Sequence, residues 1–590
     1  VAYGQECWSL ADLFPDIGSP EIEMALKEMD ASIAGFEELR AKLDPEMDDE
    51  RFQSILKMYE LIIRQINRLY GFASLKFAED TQDQAAQSLQ SRIQQNAAEM
   101  DNRTLFFKLW WKGLGDEAAA RLLDASGDYR YWLETLRLQK PYTLSEPEEK
   151  VINLKDVNGS NALVNLYETI TNRYSFRMEV DGETREITRE ELSANYFSPN
   201  PDVRAEAYQE LYRVYEQDAP ILGQIYQYRV RDWRSEGVDL RGYTSPIAIR
   251  NLANQIPDEV VDTMLGVCRK NVGIFHRFFA LKARLLEVDR LRRYDLYAPV
   301  VEADKRYPFG DAAAMVLESF ERFEPRMAEL ARMIFDSHHI DSEVRKGKLG
   351  GAFCSTVGPD LVPWVLQSYV GTARNIATLA HELGHAVHSL LANQHTALTQ
   401  HASLPLAETA STFGEMLLVD RLLEEEVDET VRRDILFKQM DEAYMTIMRQ
   451  AFFALFEREA HEHIREGAEV DQLHDVYFAN LKDQFGNSLE LSEDFRFEWV
   501  AIPHFYHTPF YVYAYSFGQL LVLSLYQQYL QEGDTFKPRY FEILEAGGSA
   551  SPKEMLENAG INMHEKAFWQ GGFDVIAGKL EQLEGMGVAR

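Results

Sequence analysis

The chain has 590 residues, 46% of them hydrophobic and 26% charged, enough apolar material for a large core and a composition that excludes intrinsic disorder. A formal charge of -34 at pH 7 opposes binding to a phosphate backbone or an anionic bilayer, because either affinity depends on Lys and Arg neutralising negative charge. Cys7, Cys268 and Cys354 are too few and too widely spaced for a disulfide framework or a thiolate metal site, and no apolar run approaches the ~18 residues of a membrane helix.

The first segment, VAYGQECWSLADLFPDI, has no basic region followed by an apolar stretch, so the expectation is a soluble cytoplasmic protein without a secretion signal. From about Glu21 to Leu138 the apolar residues recur at three and four positions, which predicts successive amphipathic helices joined by short polar turns. Ser145 ahead of acidic residues marks a helix start, and Asn158 with Gly159 marks a break. The period then changes in YSFRMEVDGETREIT, where alternation around Asp181 and Gly182 predicts a two-stranded ribbon at about 174–188. Helices resume after Ser198 or Asn200 as cap, with Pro201 in the first turn. The predicted division is therefore an N-terminal helical domain over 1–197 and a second helical domain over 198–590. GKLGGAFCSTV, Gly347 to Val357, suggests a second small sheet, since its glycines let another backbone approach closely. No repeat of 20–50 residues is present, which disfavours a solenoid.

The segment NIATLAHELGHAVHSLL, Asn375 to Leu391, has the apolar period of a core helix yet carries His381, Glu382, His385 and His388. Burying such groups costs several kcal/mol unless they are paired or coordinated. His381 and His385 are four apart and so project from one helix face, with Glu382 beside them. In this H-E-x-x-H arrangement two neutral imidazoles bind zinc and the glutamate takes a proton from a water that the ion activates. A metzincin would carry a third histidine six residues after His385, but Leu391 stands there, and His395 lies outside that spacing. His388 reads as a core histidine or a support behind the ligands. Catalytic zinc needs a third protein ligand, and LPLAETASTFGEMLLVDRLL supplies two candidates, Glu408 and Glu415, expected seven residues apart on one face of a helix that starts after Pro405. Spacing alone leaves open which of them is the ligand. Farther on, IPHFYHTPFYVYAYSFGQ gathers His504, His507, Tyr506, Tyr511, Tyr513 and Tyr515. Tyr506 and Tyr515 read as core residues, while the other phenols and imidazoles are the type of donor that holds an oxyanion.

These motifs, in the order GKLGGAFC, GTARNIATLAHELGHAVH, LAETASTFGE, IPHFYHTPFYVYAYSFG and AGGSASPKEMLENAGINMHEKAFW, resemble the thimet-oligopeptidase-like zinc metallopeptidases, in their oligoendopeptidase F branch. The resemblance implies a mainly α fold: an elongated helical body with a deep central channel, two small β regions and a gluzincin-type active-site helix. It implies one zinc ion per chain held by His381, His385 and Glu408, with Glu382 as general base and Glu415 accepting a hydrogen bond from a ligating histidine. Gly350, Gly351 and Ala352 would then open an edge strand that pairs with an extended substrate. The tyrosine-rich segment does not align with the thimet-oligopeptidase form without a gap. Tyr513 is the favoured oxyanion donor, then His507, with Tyr511 and His504 behind them. The function implied is zinc-dependent cleavage of internal bonds in short peptides. A carboxypeptidase or dipeptidase would need a charged pocket for a free C-terminus, which no segment displays, and a non-catalytic peptide binder would need no general base.

Overall fold

A computed structural model of the chain describes residues 3–180, 182–301 and 305–586. Helices dominate, and the chain divides into two interleaved compact units. One comprises Val1–Lys140, Asp304–Glu425 and Gln528–Asn562; the other comprises Pro141–Ala303, Glu426–Gln527 and Met563–Arg590. Residue 198 thus falls inside the second unit.

In the first unit the expected helices appear at Pro20–Glu37, Asp49–Glu79, Gln84–Gly113, Asp116–Asp124 and Arg130–Leu138. The two longest start at aspartates whose carboxylates accept from the first-turn amides, Asp48 from Arg51 N at 2.8 Å and Asp83 from Ala85 N at 2.8 Å, and each cap is worth about 1 kcal/mol. Their shared core is aromatic, with Phe52 stacked on Trp111 at 5.6 Å and Tyr59 on Trp132 at 5.3 Å. The same core takes in Val357, Trp364 and Leu366, so the N-terminal helices seat a small three-stranded sheet. Trp364–Gln367 is its central strand, parallel to Ile340–Asp341 and antiparallel to Ala352–Ser355, with Ala352 opposite Gln367. The glycine-rich segment therefore does lead into a strand, and that strand is an edge of the sheet. Its approach loop is pinned by the buried Lys348, which lies 2.8 Å from the Asp341 carboxylate and donates to the carbonyls of Asp341, Glu343 and Gln367.

In the second unit Ser145 caps Glu146–Asn158, Gly159 interrupts the helical run before Ser160–Thr171, and the ribbon forms from Phe176–Val180 and Glu183–Ile187. Gly182 has the positive φ that a tight turn requires, 79°, whereas Asp181 lies outside the described residues. The long helix Pro201–Arg234 is capped by Asn200, whose side chain accepts from Asp202 N at 2.9 Å. A third β element, the two-residue parallel ladder of Leu291–Arg292 with Leu489–Glu490, adds to the two regions expected and is too short to give a periodic signal. Among the described residues no helix is long and apolar enough to cross a membrane.

Candidate active site

The motif helix runs from Ala373 to Leu391 in the first unit. It starts at a reciprocal cap in which Asn375 N donates to the Thr372 hydroxyl and Thr372 N donates to the Asn375 side chain, both at 3.2 Å. Ile376, Leu379, Ala380, Leu383, Ala386 and Val387 are fully buried, which fixes the helix rotationally. His381 and His385 emerge together from the opposite side, partly exposed, with ring centroids 4.9 Å apart. Glu382 and His388 are buried.

The partner helix, Ser411–Glu425, lies close against the motif helix because two glycines lack side chains at the crossing. A Cβ on Gly384 would sit 2.5 Å from the Ala410 carbonyl oxygen and 2.6 Å from Ser411 Cα, and one on Gly414 would sit 3.3 Å from the Ala380 carbonyl oxygen of the motif helix. This approach carries Glu408 to both histidines: its Oε2 lies 3.2 Å from His381 Nε2 and 3.5 Å from His385 Nε2. Glu415 approaches the other nitrogen of the same ring, with Oε2 3.6 Å from His381 Nδ1. One ligand atom from each of His381, His385 and Glu408 lies within 4.8 Å of the others, a cluster that could hold a metal ion.

The structure departs from the sequence reading in how Glu408 is placed. It is not two turns before Glu415 on a continuous helix; the short helical turn Leu404–Leu406 is followed by turn residues up to Ala410, and the helix starts at Ser411. Nor is its carboxylate enclosed among apolar neighbours, since the side chain is 43% exposed. The turn is held in place because the Ser411 hydroxyl donates to Glu408 Oε2 at 2.6 Å and Thr412 N donates to the Glu408 carbonyl.

Two imidazoles and one carboxylate are the donor set of a three-ligand catalytic zinc site, and their proximity and partial exposure fit such an ion. In the metal-free protein the same proximity sets the protonation states. Burial disfavours a charged His381, but hydrogen bonds and charge from Glu408 and Glu415 outweigh it and push its pKa up to about 10. The complementary effect on Glu408, also against burial, brings its carboxyl down to about 2. Burial lowers His385 to about 4 and His388 to about 4, against a smaller raising effect of the Ala407 backbone on each. Burial pushes Glu382 up to about 7, helped by the Glu408 charge and opposed by the His381 charge and the backbone dipole at Cys354. Cys354 belongs to the edge strand Ala352–Ser355, which follows Gly350 and Gly351 (φ 85°).

The tyrosine-rich segment belongs to the second unit. Tyr506 is buried, as read, and stacks on Tyr167 at 3.7 Å. Tyr513 is fully buried and its hydroxyl accepts from Asn254 Nδ2 at 2.9 Å, whereas His507 is exposed, its Nε2 3.1 Å from a Glu168 carboxylate oxygen. His504 and Tyr511 are partly exposed and stack at 6.0 Å. Tyr515, read as a core residue, is instead exposed: it stands edge-on to Tyr511 with its hydroxyl 3.3 Å from His504 Nε2. Its place at the third position of the helix Tyr513–Glu532, two residues on from the buried Tyr513, turns it about 200° around the axis, a signal available from spacing once the helix start is known.

The profile of Peptidase family M3 matches residues 196–575, and one described as Oligopeptidase F matches residues 110–176. Over 98% of this chain and 87% of the relative, the sequence is 27% identical to oligopeptidase PepF of Bacillus subtilis (strain 168). A solved structure from Chlamydophila abortus shares the fold with a TM-score of 0.89 over 98% of both chains at 23% identity. The crystal structure of oligoendopeptidase-F from Enterococcus faecium gives a TM-score of 0.71 at 25% identity, covering 96% of this chain and 99% of that one. On this evidence the chain belongs to peptidase family M3.

Proposed function

We propose that this chain is a zinc-dependent oligoendopeptidase that hydrolyses internal bonds of short peptides. The observation that carries the reading is the convergence of His381, His385 and Glu408 one residue away from the buried Glu382. The B. subtilis and E. faecium relatives, an oligopeptidase and an oligoendopeptidase, support the substrate class. The family profiles, one ending at residue 176 and the other starting at residue 196, support a catalytic region over 198–590 following an N-terminal helical region over 1–197.

His381, His385 and Glu408 would hold one zinc ion, and Glu415 would fix the His381 ring through its other nitrogen. Bound there, zinc supplies Lewis acidity, lowering the pKa of a water toward ~7 and polarising a carbonyl. Glu382, buried one residue from the ligand His381, takes the proton of the attacking water and passes it to the departing amine nitrogen. Gly350, Gly351 and Ala352 introduce the strand that orients an extended peptide by main-chain hydrogen bonds. Of the oxyanion donors expected from the sequence, His504, His507 and Tyr511 are accessible, whereas the Tyr513 hydroxyl is enclosed and engaged by Asn254. His388 serves as a buried packing group beneath His385.

The test is digestion of an internally quenched peptide of about ten residues, blocked at both ends, with product masses read before and after chelation and zinc re-addition. Internal cleavage that disappears and returns with zinc is expected. Cleavage confined to peptides with a free terminus would replace the endopeptidase reading by an exopeptidase one.

A further inference from the structure

The second unit encloses an imbalance of charge that the peptidase chemistry does not use. Arg293 is 1% exposed, and its Nη2 donates to Glu498 Oε1 at 3.0 Å. Arg449 Nη2 donates to that same oxygen at 2.9 Å, and Tyr477 donates its hydroxyl to Glu498 Oε2 at 2.8 Å. Two guanidinium groups therefore share one buried carboxylate. The neighbouring Lys282 and Asp441 pair with each other at 2.9 Å and contribute no net charge. One positive charge is left over, with the Arg293 side chain enclosed and that of Arg449 25% exposed, and an enclosed charge without a full partner is costly.

The atoms around this charge are also unsatisfied. Arg293 Nε and Nη1, Arg449 Nε and the hydroxyls of Tyr297 and Tyr444 are buried and have no hydrogen-bond partner among the described residues. A buried donor without a partner has given up its hydrogen bonds to water, so each such group in a native interior calls for an explanation. Tyr297 and Tyr444 adjoin at 6.4 Å between ring centroids, and each lies within electrostatic reach of both guanidinium groups. Tyr444 and Arg449 are brought to this place by a wide helical turn over Tyr444–Met448, with five-residue hydrogen bonding, and such turns recur at binding sites. The phenols stay protonated, because burial raises both above their ordinary value. The lining is thus made of donors with a net positive charge. Its walls are aromatic: the Arg293 guanidinium lies over Phe495 at 4.8 Å, with Phe485 at 5.7 Å and Tyr208 at 5.9 Å.

We propose that this cluster is a buried site for a small monovalent anion, chloride, held by Arg293, Arg449, Tyr297 and Tyr444. The net positive charge of the cluster excludes a cation. The ion would bind together the segment 293–297 and the turn 444–449, and so would stabilise the second unit independently of any metal at the peptidase centre.

The test uses the full chain freed of halide and compared in chloride, bromide and gluconate at equal ionic strength. Chloride and bromide are expected to raise the melting temperature saturably, and gluconate is not. The double variant Tyr297→Phe/Tyr444→Phe, which keeps ring packing, should weaken half-saturation by about tenfold or more through loss of two donors. Crystals of protein equilibrated with bromide as the sole halide should show an anomalous peak beside Arg293. Absence of that peak, or an identical halide response in wild type and the double variant, would overturn the proposal.

Discussion

Glu382 and Glu408 both border His381, yet their surroundings drive them in opposite directions, to about 7 and about 2 in the metal-free protein. Groups separated in this way take separate roles: the low one stays an anion and suits a ligand, while the high one can accept and return a proton. Glu382→Gln should lower turnover by about a thousandfold with metal content unchanged, and Glu408→Ala should lose the metal; elemental analysis beside peptide kinetics distinguishes them. An active Glu382→Gln protein would remove the glutamate from the mechanism. A ligating imidazole must be neutral, so the proton that Glu408 and Glu415 hold on His381, whose pKa is about 10, has to leave when metal binds. At pH 7–8 binding should therefore release about one proton, and apparent affinity should rise roughly tenfold per pH unit in that window. Titration calorimetry in buffers of different ionisation enthalpy measures this; heats that do not vary with the buffer would rule it out. The histidines and Glu382 were legible in the sequence because one helix carries them all at a fixed spacing. The accessibility of the tyrosine-segment donors was not, because the burial of Tyr513 against Asn254 is set by a residue 259 positions away.

At the scale of elements, the site exists because two helices approach more closely than side chains allow. Gly384→Ala would press a methyl group against the backbone at Ala410 and Ser411, neither of which can rotate away. The expected result is a cost of about 1–3 kcal/mol and a weaker metal site, as the turn bearing Glu408 is pushed off the histidines. Thermal melting and zinc titration check this, and unchanged metal affinity would show that the crossing has slack. Period and caps disclosed the motif helix and the ribbon at 176–187. They did not disclose that Glu408 precedes its helix, since a turn of helical hydrogen bonding, with Thr412 N bonded to the Glu408 carbonyl, reads like helix in sequence. The central strand Trp364–Gln367 also escaped notice: four fully buried residues have no alternation to reveal them.

For the molecule as a whole, the net charge of -34 is the property most directly legible in the sequence. It should draw cationic peptides: kcat/KM for a Lys/Arg-rich peptide is expected to fall severalfold between ~20 and ~300 mM salt while that for a neutral peptide of equal length holds steady. Parallel salt curves would dismiss long-range attraction. The interleaving was beyond the reach of local patterns, because each unit is assembled from three distant stretches and Trp364 shares a core with Phe52 and Trp111. The edge strand Ala352–Ser355 has a consequence at this scale too. A host that reads its guest through amides and carbonyls is indifferent to most side chains but not to shape. Helical cargo has already spent those groups on itself, and a proline withholds an amide where one is wanted. On the proposed reading, what such an edge sorts is pliancy: chains free to straighten would be accepted, and chains committed to a fold passed over.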